Sequence, residues 1–256
     1  MWFDSHCHLQ PDHARGHIAA DLIARARAGN VDCMVCVGTD LASSRDAVQL
    51  AAEHDSVYAV VGLHPHDALR FGDEWAGLRE LGATCEKVVG IGETGFDLFY
   101  EHSPRDEQRV AFIAHIELAH ELDKALVIHT RDAWDDTFAV LADVGVPERT
   151  IIHCFSGGPS EAARAIELGC HVSFSGIVSF KAADDLRDAA AMTPPERLLI
   201  ETDSPFLAPV PFRGKDNEPA NVAYVGAAVA AARGMSVEAV AELTAANARR
   251  VFNLKA

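Results

Sequence analysis

The stretch ALVIHTRD at residues 125–132 contains the pattern that recurs along the chain. A short apolar run, Ala125–Ile128, is followed at once by polar residues that begin with His129. An amphipathic segment, Asp106–Leu122, lies before it and carries apolar residues at helical spacing. Short apolar runs that alternate with helical segments are typical of parallel strands, which need helical crossovers between them. The stretch therefore predicts a strand over Ala125–His129.

The same alternation extends in both directions from this strand. Eight strands are predicted, at Trp2–Ser5, Val31–Val37, Val57–Gly62, Lys87–Gly92, Ala125–His129, Thr150–His153, Cys170–Phe174 and Leu198–Glu201. Helices are predicted at Ile18–Ala28, Ser44–Glu53, Asp106–Leu122, Ala133–Asp143, Ser160–Leu168, Asp184–Ala190, Ala223–Ala232 and Val237–Ala246. This order predicts a parallel sheet, either closed as a (β/α)8 barrel or open and doubly wound. A chain of 256 residues has about the length of a barrel, and no linker divides residues 1–256, so we expect one domain.

The formal net charge of −16, from 22 basic and 38 acidic residues, restricts the partners. Proteins that grip many phosphates present lysine and arginine surfaces, so we do not expect this chain to wrap duplex DNA. If it acts on phosphates, bound cations must neutralise most of the local charge. No apolar run reaches the roughly 18–20 residues of a membrane span, and no signal-peptide pattern is present. We therefore expect a cytoplasmic protein without membrane contact.

The cysteines do not predict a metal motif. Cys33 and Cys36 have C-x2-C spacing, but they lie in a predicted strand, where residues i and i+3 face opposite sides. Core packing is the better interpretation of this pair. By the same alternation, we expect Cys7 and Cys154 to face away from the histidines beside them.

Polar residues cluster where the predicted strands end. In a barrel of parallel strands, the carboxyl ends lie on one face and form the active site. Six His, Asp and Glu residues follow strands one, four, five, six and eight, and they are His6, His8, Glu93, His129, His153 and Asp203. Residues i and i+2 of a strand share a face, so His6 and His8 should point the same way. Four imidazoles and two carboxylates can hold two divalent cations that share a bridging carboxylate.

The other histidines fall into two groups. His64 and His66 follow the third strand, but two metal sites do not need them, and substrate contact is our interpretation of His64. The remaining seven lie in helices, in connections or at the start of a strand, and we expect them to be structural or solvated. They are His13, His17, His54, His102, His115, His120 and His171.

Two further polar residues share strand faces with the expected ligands. Arg131 lies two residues after His129, and it is interpreted either as a phosphate contact or as an ion-pair partner of nearby acids. Glu201 lies two residues before Asp203 and is expected to support the site from behind. The chain contains no G-x-S-x-G elbow, P-loop or G-x-G-x-x-G motif, which disfavours serine-nucleophile and nucleotide-loop chemistry.

In these segments the chain resembles the TatD family of metal-dependent hydrolases and deoxyribonucleases, within the amidohydrolase-like superfamily. The matching segments are Phe3–Leu9, Gly62–Asp67, Ile91–Asp97, Val127–Ala133, Ile152–Gly157, Leu199–Ala208, Pro211–Pro219 and Asn247–Phe252. The resemblance implies an α/β fold, a (β/α)8 TIM barrel of the metallo-dependent hydrolase type. It implies that His6 and His8 bind one metal with Glu93 and Asp203. It also implies that His129 and His153 hold the second metal, with Glu93 as the bridge.

The resemblance leads to a mechanistic expectation. A deoxyribonuclease of this type would cleave phosphodiester bonds as a 3′–5′ exonuclease on single-stranded or frayed DNA ends, or on RNA. Two divalent cations (Mg, Mn, Zn, Ni or Co) would serve as cofactors. Asp203 is the expected general base, and His64 and Arg131 are the expected substrate contacts. We expect a monomer without a stable duplex complex.

Two alternatives remain at this stage. One is a metallohydrolase of another ester or amide, such as a D-aminoacyl-tRNA deacylase, because barrels host many chemistries. The other is a metal-binding partner protein without catalytic activity. Assays of turnover on the different substrates across several metals would separate the three readings.

Overall fold

The computed structural model describes residues 1–254, and all eight predicted strands are present in it. The strands are β1 (Trp2–Cys7), β2 (Val31–Val37), β3 (Val57–Val61), β4 (Val88–Asp97), β5 (Ala125–Arg131), β6 (Thr150–Ile152), β7 (His171–Phe174) and β8 (Leu198–Ile200). The helices are α1 (Ala19–Ala28), α2 (Leu41–Glu53), α3 (Phe71–Thr84), α4 (Arg105–Leu122), α5 (Trp134–Val144), α6 (Pro159–Glu167), α7 (Asp184–Met192), α8 (Val222–Arg233) and α9 (Val237–Val251). Short 3-10 helices lie at Pro65–Arg70, Gly176–Ser179, Pro195–Arg197 and Pro219–Asn221.

Helix α3 is absent from the sequence-based prediction. Three glycines, Gly72, Gly77 and Gly82, interrupt its helical pattern, and glycine lowers helix propensity by about 1 kcal/mol relative to alanine. Packing compensates, because Leu78 is buried and a side chain at Gly82 would press against Ile91. The glycines that interrupt the helical pattern in the sequence thus allow the helix to pack closely against the barrel.

The eight strands form one parallel sheet in the order β1 to β8, so each strand pairs with its neighbours in the chain. The sheet closes just beyond the ends of β1 and β8. There, Ser204 O accepts a hydrogen bond from His8 N at 2.7 Å, and Asp203 N donates to His6 O at 2.9 Å. The fold is a (β/α)8 barrel, which confirms the closed alternative and rules out the open sheet.

A buried carboxyl group strengthens this closure. Asp4 accepts hydrogen bonds from the backbone N of Thr202 at 2.8 Å and from its Oγ1 at 2.6 Å. The contact joins β1 to the segment that follows β8 across the length of the chain. Burial raises the pKa of Asp4 to about 8, despite the hydrogen bonds from Thr202 that lower it.

The alternation of strand side chains divides the core into two apolar clusters. Leu126 and Ile128 of β5 face outward into the layer beneath the helices, whereas Val127 faces the barrel interior. The interior cluster also contains residues of α9, and Phe252 just beyond that helix stacks on Phe3 at 6.2 Å. The amino-terminal end of the barrel is therefore covered. His129, two residues beyond Val127, consequently faces inward at the open end.

The cysteines behave as predicted in β2 but not after β6. Cys36 packs in the outer cluster and Cys33 against the inner one, so the two face opposite sides of the strand. Cys154 does not face away from its neighbouring histidine site, because β6 ends at Ile152 and Cys154 has a positive φ of 43°. Its side chain therefore lines the cavity at the mouth of the barrel. No helix in residues 1–254 is long and apolar enough to cross a bilayer.

Candidate metal centre

The six predicted ligands meet at the carboxyl end of the barrel, around a cavity of about 590 Å³. His8, Glu93, His129, His153 and Asp203 line the cavity. His6 lies fully buried beneath them, with its Nε2 atom 3.3 Å from that of His8. The side chains come from five different strand ends, which explains why they are scattered in the sequence.

One group of donors consists of His6, His8 and Asp203. Nε2 of His8 lies 3.5 Å from Asp203 Oδ1, and Nε2 of His6 lies 3.8 Å from the same oxygen. Ligands about 2.1 Å from one tetrahedral ion are about 3.4 Å apart, so these separations suit a single cation. This group contains three of the four residues predicted for the first metal site, the fourth being Glu93.

A second group consists of His129, His153 and Glu93. Glu93 Oε1 lies 3.0 Å from His129 Nδ1 and 2.7 Å from His153 Nε2, and these two nitrogens are 3.4 Å apart. The other carboxylate oxygen of Glu93, Oε2, lies 3.3 Å from His6 Nε2. The two oxygens of Glu93 therefore face different donor groups, which is the arrangement that a bridging carboxylate requires.

Hydrogen bonds behind the donors orient their lone pairs. His8 Nδ1 donates to Val37 O at 2.9 Å, so the lone pair of that imidazole lies on Nε2, toward the other donors. His153 Nδ1 contacts Glu201 Oε1 at 3.2 Å in the same way. Such outer partners typically select the tautomer of metal-binding histidines. The expectation that Glu201 supports the site agrees with this contact.

His129 is held by a residue that the sequence analysis missed. Its Nε2 lies 3.1 Å from Asp97 Oδ2, and the Nε2 of His66 lies 3.0 Å from the same oxygen. Asp97 falls at the end of β4, which runs five residues beyond the predicted strand end at Gly92. Its position at a strand end was the available signal, but the shorter predicted strand placed it in the following loop.

The donor set fits a divalent cation. With Nδ1–H of His153 directed to Glu201, the lone pair on its Nε2 points at a carboxylate oxygen of Glu93 only 2.7 Å away. Two lone pairs at this distance repel each other unless a proton or a cation lies between them. The same conflict occurs between His129 Nδ1 and Glu93 Oε1. His, Asp and Glu donors of this kind suit Zn, Ni, Mn or Co.

The carboxylates of the site are ionised at neutral pH. Burial would raise the pKa of Glu93, but the neighbouring imidazole of His153 holds it well below its usual range. Burial likewise opposes ionisation of Asp203, whose pKa is nevertheless lowered by the hydrogen bond with His8 and by nearby imidazoles. Two buried negative charges are thus available to cations.

His64 lies beside Glu93, with 3.5 Å between Nε2 and Oε1, and together with His129 these residues form a third group of potential metal donors. Its tautomer argues against ligation. Nδ1 of His64 accepts a hydrogen bond from His66 N at 3.1 Å, so the ring hydrogen lies on Nε2 and faces the cavity. Burial and the charge of His129 lower the pKa of His64 well below its usual range, so the ring is neutral. It is placed to donate a hydrogen bond.

Arg131 lines the cavity, as its predicted role as a substrate contact requires. Its guanidinium lies over the rings of Phe99 at 4.1 Å and Tyr100 at 4.8 Å. Within residues 1–254 it forms no ion pair, so the alternative of a salt bridge to nearby acids is not observed. Both aromatic residues are about half exposed; Tyr100 lines the cavity, and the ring of Phe99 packs against that of Tyr100 with 4.8 Å between centroids.

One histidine that was expected to be structural lies at the site. His13 lines the cavity, and its ring stacks on His8 with 5.1 Å between centroids. Nothing in its sequence context predicts this position, because the segment before α1 carries no strand or helix pattern. His115, in contrast, is buried in α4, where its Nε2 accepts from Leu63 N at 3.0 Å.

The fold and the donor groups define a class of protein: the chain is a metal-dependent hydrolase built on a (β/α)8 barrel. Comparison with known proteins identifies the family. The chain belongs to the TatD family, since the family model described as "TatD related DNase" matches residues 3–253. This confirms the resemblance inferred from the sequence motifs.

Individual relatives agree with this assignment. The chain is 42% identical to the uncharacterized metal-dependent hydrolase YcfH of Escherichia coli K12, over 99% of this chain and 96% of that protein. It is 40% identical to the uncharacterized metal-dependent hydrolase YabD of Bacillus subtilis, over 99% and 100% of the two chains. Among solved structures, the TatD homolog YJJV of Escherichia coli K12 superposes with a TM-score of 0.91 at 28% identity, over 99% and 98%.

Proposed function

We propose that this hydrolase cleaves phosphodiester bonds at single-stranded or frayed nucleic-acid ends, with two divalent cations bound by the two donor groups. The observation that carries the proposal is the orientation of Glu93, whose two oxygens face separate donor groups at the base of the cavity. In the family resemblance these residues are the metal ligands. Bound there, a pair of cations would supply Lewis acidity and stabilise negative charge on phosphate oxygens.

The residues of the chain suit the remaining tasks. Asp203 is an ionised carboxylate at the cavity wall, and it can accept the proton of an attacking water. The Nε2–H of His64 can donate to a non-bridging phosphate oxygen. Arg131 is a fixed positive charge at the rim of the cavity, where a phosphate group would enter.

The rim favours an unpaired strand over a duplex. Phe99 and Tyr100 are 55% and 51% exposed, and exposed aromatic rings offer stacking surfaces to unstacked bases. A base pair within a duplex cannot stack on a protein ring, and the net charge of −16 disfavours extended contact with duplex phosphates. The support for nucleic acid over another ester is therefore this aromatic rim together with Arg131.

A nuclease assay tests the proposal. Single-stranded, 3′-tailed and blunt oligonucleotides, labelled at either end, are incubated with the metal-stripped protein and added Mg, Mn, Co, Ni or Zn. We expect metal-dependent shortening of the single strands from the 3′ end and little action on blunt duplex. Turnover of mischarged aminoacyl-tRNA without any phosphodiester cleavage would contradict the proposal and favour the deacylase alternative. Absence of turnover on every substrate would favour a binding protein.

A matched pair of variants controls this assay. His129→Ala should abolish the metal-dependent cleavage, since it removes one donor of the second group. His120→Ala makes the same substitution at an exposed position near the end of α4 and should retain the activity of the unaltered protein. Circular dichroism of both variants verifies the fold. Full activity of His129→Ala in metal-replete buffer would contradict the assignment of that residue.

A further inference from the structure

A second cavity, of about 400 Å³, lies next to the metal centre. It is lined by the side chains of Arg15, Phe180, Phe206, Arg213 and Lys215, among others. Phe206 and Leu207 line both this cavity and that of the metal centre, so the two are adjacent. We refer to the second cavity as the basic groove.

The basic groove differs in charge from the rest of the molecule. Three of its lining residues are cationic and one, Asp216, is acidic, although acidic residues outnumber basic ones 38 to 22 in the whole chain. Asp216 pairs with Arg15 at 2.6 Å. Within the described residues, Arg213 and Lys215 have no acidic partner. Two uncompensated positive charges therefore remain beside a site that is otherwise rich in carboxylates.

Aromatic rings accompany these charges. The guanidinium of Arg213 lies over the ring of Phe180 at 3.7 Å, and that of Arg15 lies 5.3 Å from the centroid of Phe206. Phe206 is 41% exposed, and its ring also approaches His8 edge-on at 6.0 Å. The ring thus stands between the metal centre and the two uncompensated cations. Alternating cations and exposed rings are the pattern of surfaces that bind single-stranded nucleic acid.

The wall of the groove is held to the strand end that carries Asp203. Asn217 Nδ2 donates to Thr202 O at 2.9 Å and to Phe206 O at 2.7 Å. A side chain at Gly176 would lie 1.9 Å from Leu207 O, so the backbone is tightly packed at this point. The groove and the metal centre therefore keep a constant relative position, which a strand extending from one to the other requires.

We infer that the basic groove binds the phosphodiester backbone of the nucleotides next to the scissile bond, with one base stacked on Phe206. The inference rests on the proposed function, and it deepens that function by assigning an extended strand rather than a lone phosphate as the ligand. Arg213 and Lys215 contact successive phosphates, and Phe206 supports the base between them and the metal centre. Base stacking on an aromatic ring is worth about 1–3 kcal/mol in such sites.

Binding measurements without cleavage test the inference. Fluorescence anisotropy of labelled single-stranded oligonucleotides is recorded in EDTA, at a series of salt concentrations, for the unaltered protein and for the double variant Arg213→Ala/Lys215→Ala. Each phosphate contact on a single strand contributes roughly 0.7 to the slope of log K against log salt. The double variant should therefore lose about 1.4 of that slope. Phe206→Leu should weaken binding without changing the slope.

The control is Arg79→Ala, which removes an exposed arginine of α3 that lines neither the basic groove nor the cavity of the metal centre. It should bind oligonucleotides with the slope of the unaltered protein. A slope unchanged in the double variant would overturn the inference. So would an equal loss of affinity for a mononucleotide and for an oligonucleotide, because the groove would then be a site for a single phosphate.

A failure of the proposed function gives a different result. In that case no phosphodiester is cleaved under any metal condition, yet the anisotropy slopes still report on the groove, since they are measured without metal. A cleaving enzyme whose double variant keeps the slope of the unaltered protein would overturn the groove alone. A double variant with a reduced slope in a protein without nuclease activity would support the groove and contradict the function.

Discussion

His129 and His115 are both largely enclosed imidazoles of the same barrel, but their ring nitrogens face different partners. The nitrogens of His129 face two carboxylates, Glu93 at 3.0 Å and Asp97 at 3.1 Å. Those of His115 face backbone groups, with Leu63 N donating to Nε2 and Nδ1 donating to Ala111 O at 2.7 Å. Every hydrogen-bonding atom of His115 is satisfied by the fold itself, whereas His129 satisfies both carboxylates only when a proton or cation is added. Burial alone does not distinguish a structural histidine from a metal ligand. The difference is that both ring nitrogens of His129 face acceptors, whereas those of His115 face one donor and one acceptor.

The largest loss of metal affinity and turnover is expected from Glu93→Gln, which changes a partner of His129 and none of His115. The amide keeps the size of the side chain but removes the negative charge that both donor groups share. Loss of an outer partner of a metal ligand typically costs 10–100-fold, so loss of a shared ligand should exceed roughly 100-fold in metal affinity and in turnover. Calorimetric metal titration and the cleavage assay measure the two losses. Metal binding at the affinity of the unaltered protein would show that Glu93 is not the bridge.

A smaller effect is expected from Asp97→Asn. The amide retains an oxygen for the backbone N–H groups of Phe99 and Tyr100, but it no longer offers a charged acceptor to His129 and His66. We expect metal affinity to fall by about 10–100-fold while the fold is retained. Metal titration of this variant beside Asp46→Asn, an exchange in α2 away from the cavity, checks the prediction. Equal metal affinities in the two variants would show that Asp97 only holds the loop after β4 and does not support His129 as a metal ligand.

The smallest effect on activity, with a measurable effect on stability, is expected from His115→Leu. Leucine fills the space but leaves Leu63 N without an acceptor, at a cost of about 1–3 kcal/mol in the free energy of unfolding. Turnover per folded molecule should not change. Urea unfolding at neutral pH measures the cost, and lost turnover in folded protein would contradict a purely structural role.

The same variant changes the response to acid. Burial lowers the pKa of His115 from 6.5 to about 4, and its bond to Ala111 O only partly opposes this. Between these values the unfolded chain takes up a proton that the folded chain does not, so this residue reduces stability as the pH falls from 6.5 toward 4. The contribution reaches about 3 kcal/mol and should be missing from His115→Leu. If the free energy of unfolding changed with pH by the same amount in the two proteins over this range, the prediction would be contradicted.

The sequence by itself determined the alternation of parallel strands with helices and the candidate ligands, because both depend on local periodicity; that periodicity left open whether the sheet closes into a barrel. Apolar runs that alternate with helices require parallel strands with crossovers, and the period of two along a strand selects which residues face inward. Val127 and His129 share the inner face for this reason. A polar residue directly after such a run, as at Glu93 and Asp203, therefore marks the mouth of the barrel.

Only the tertiary structure decided the features that depend on contacts between distant segments. The extension of β4 to Asp97 follows from its pairing with β5, and α3 is held by packing that offsets its glycines. The positive φ of Cys154 reverses the expected direction of its side chain. The tautomer of His64 depends on His66 N, and the basic groove joins Arg15 to a loop about two hundred residues later. Such contacts join segments that are distant in the chain and have no periodicity, so no local sequence pattern predicts them.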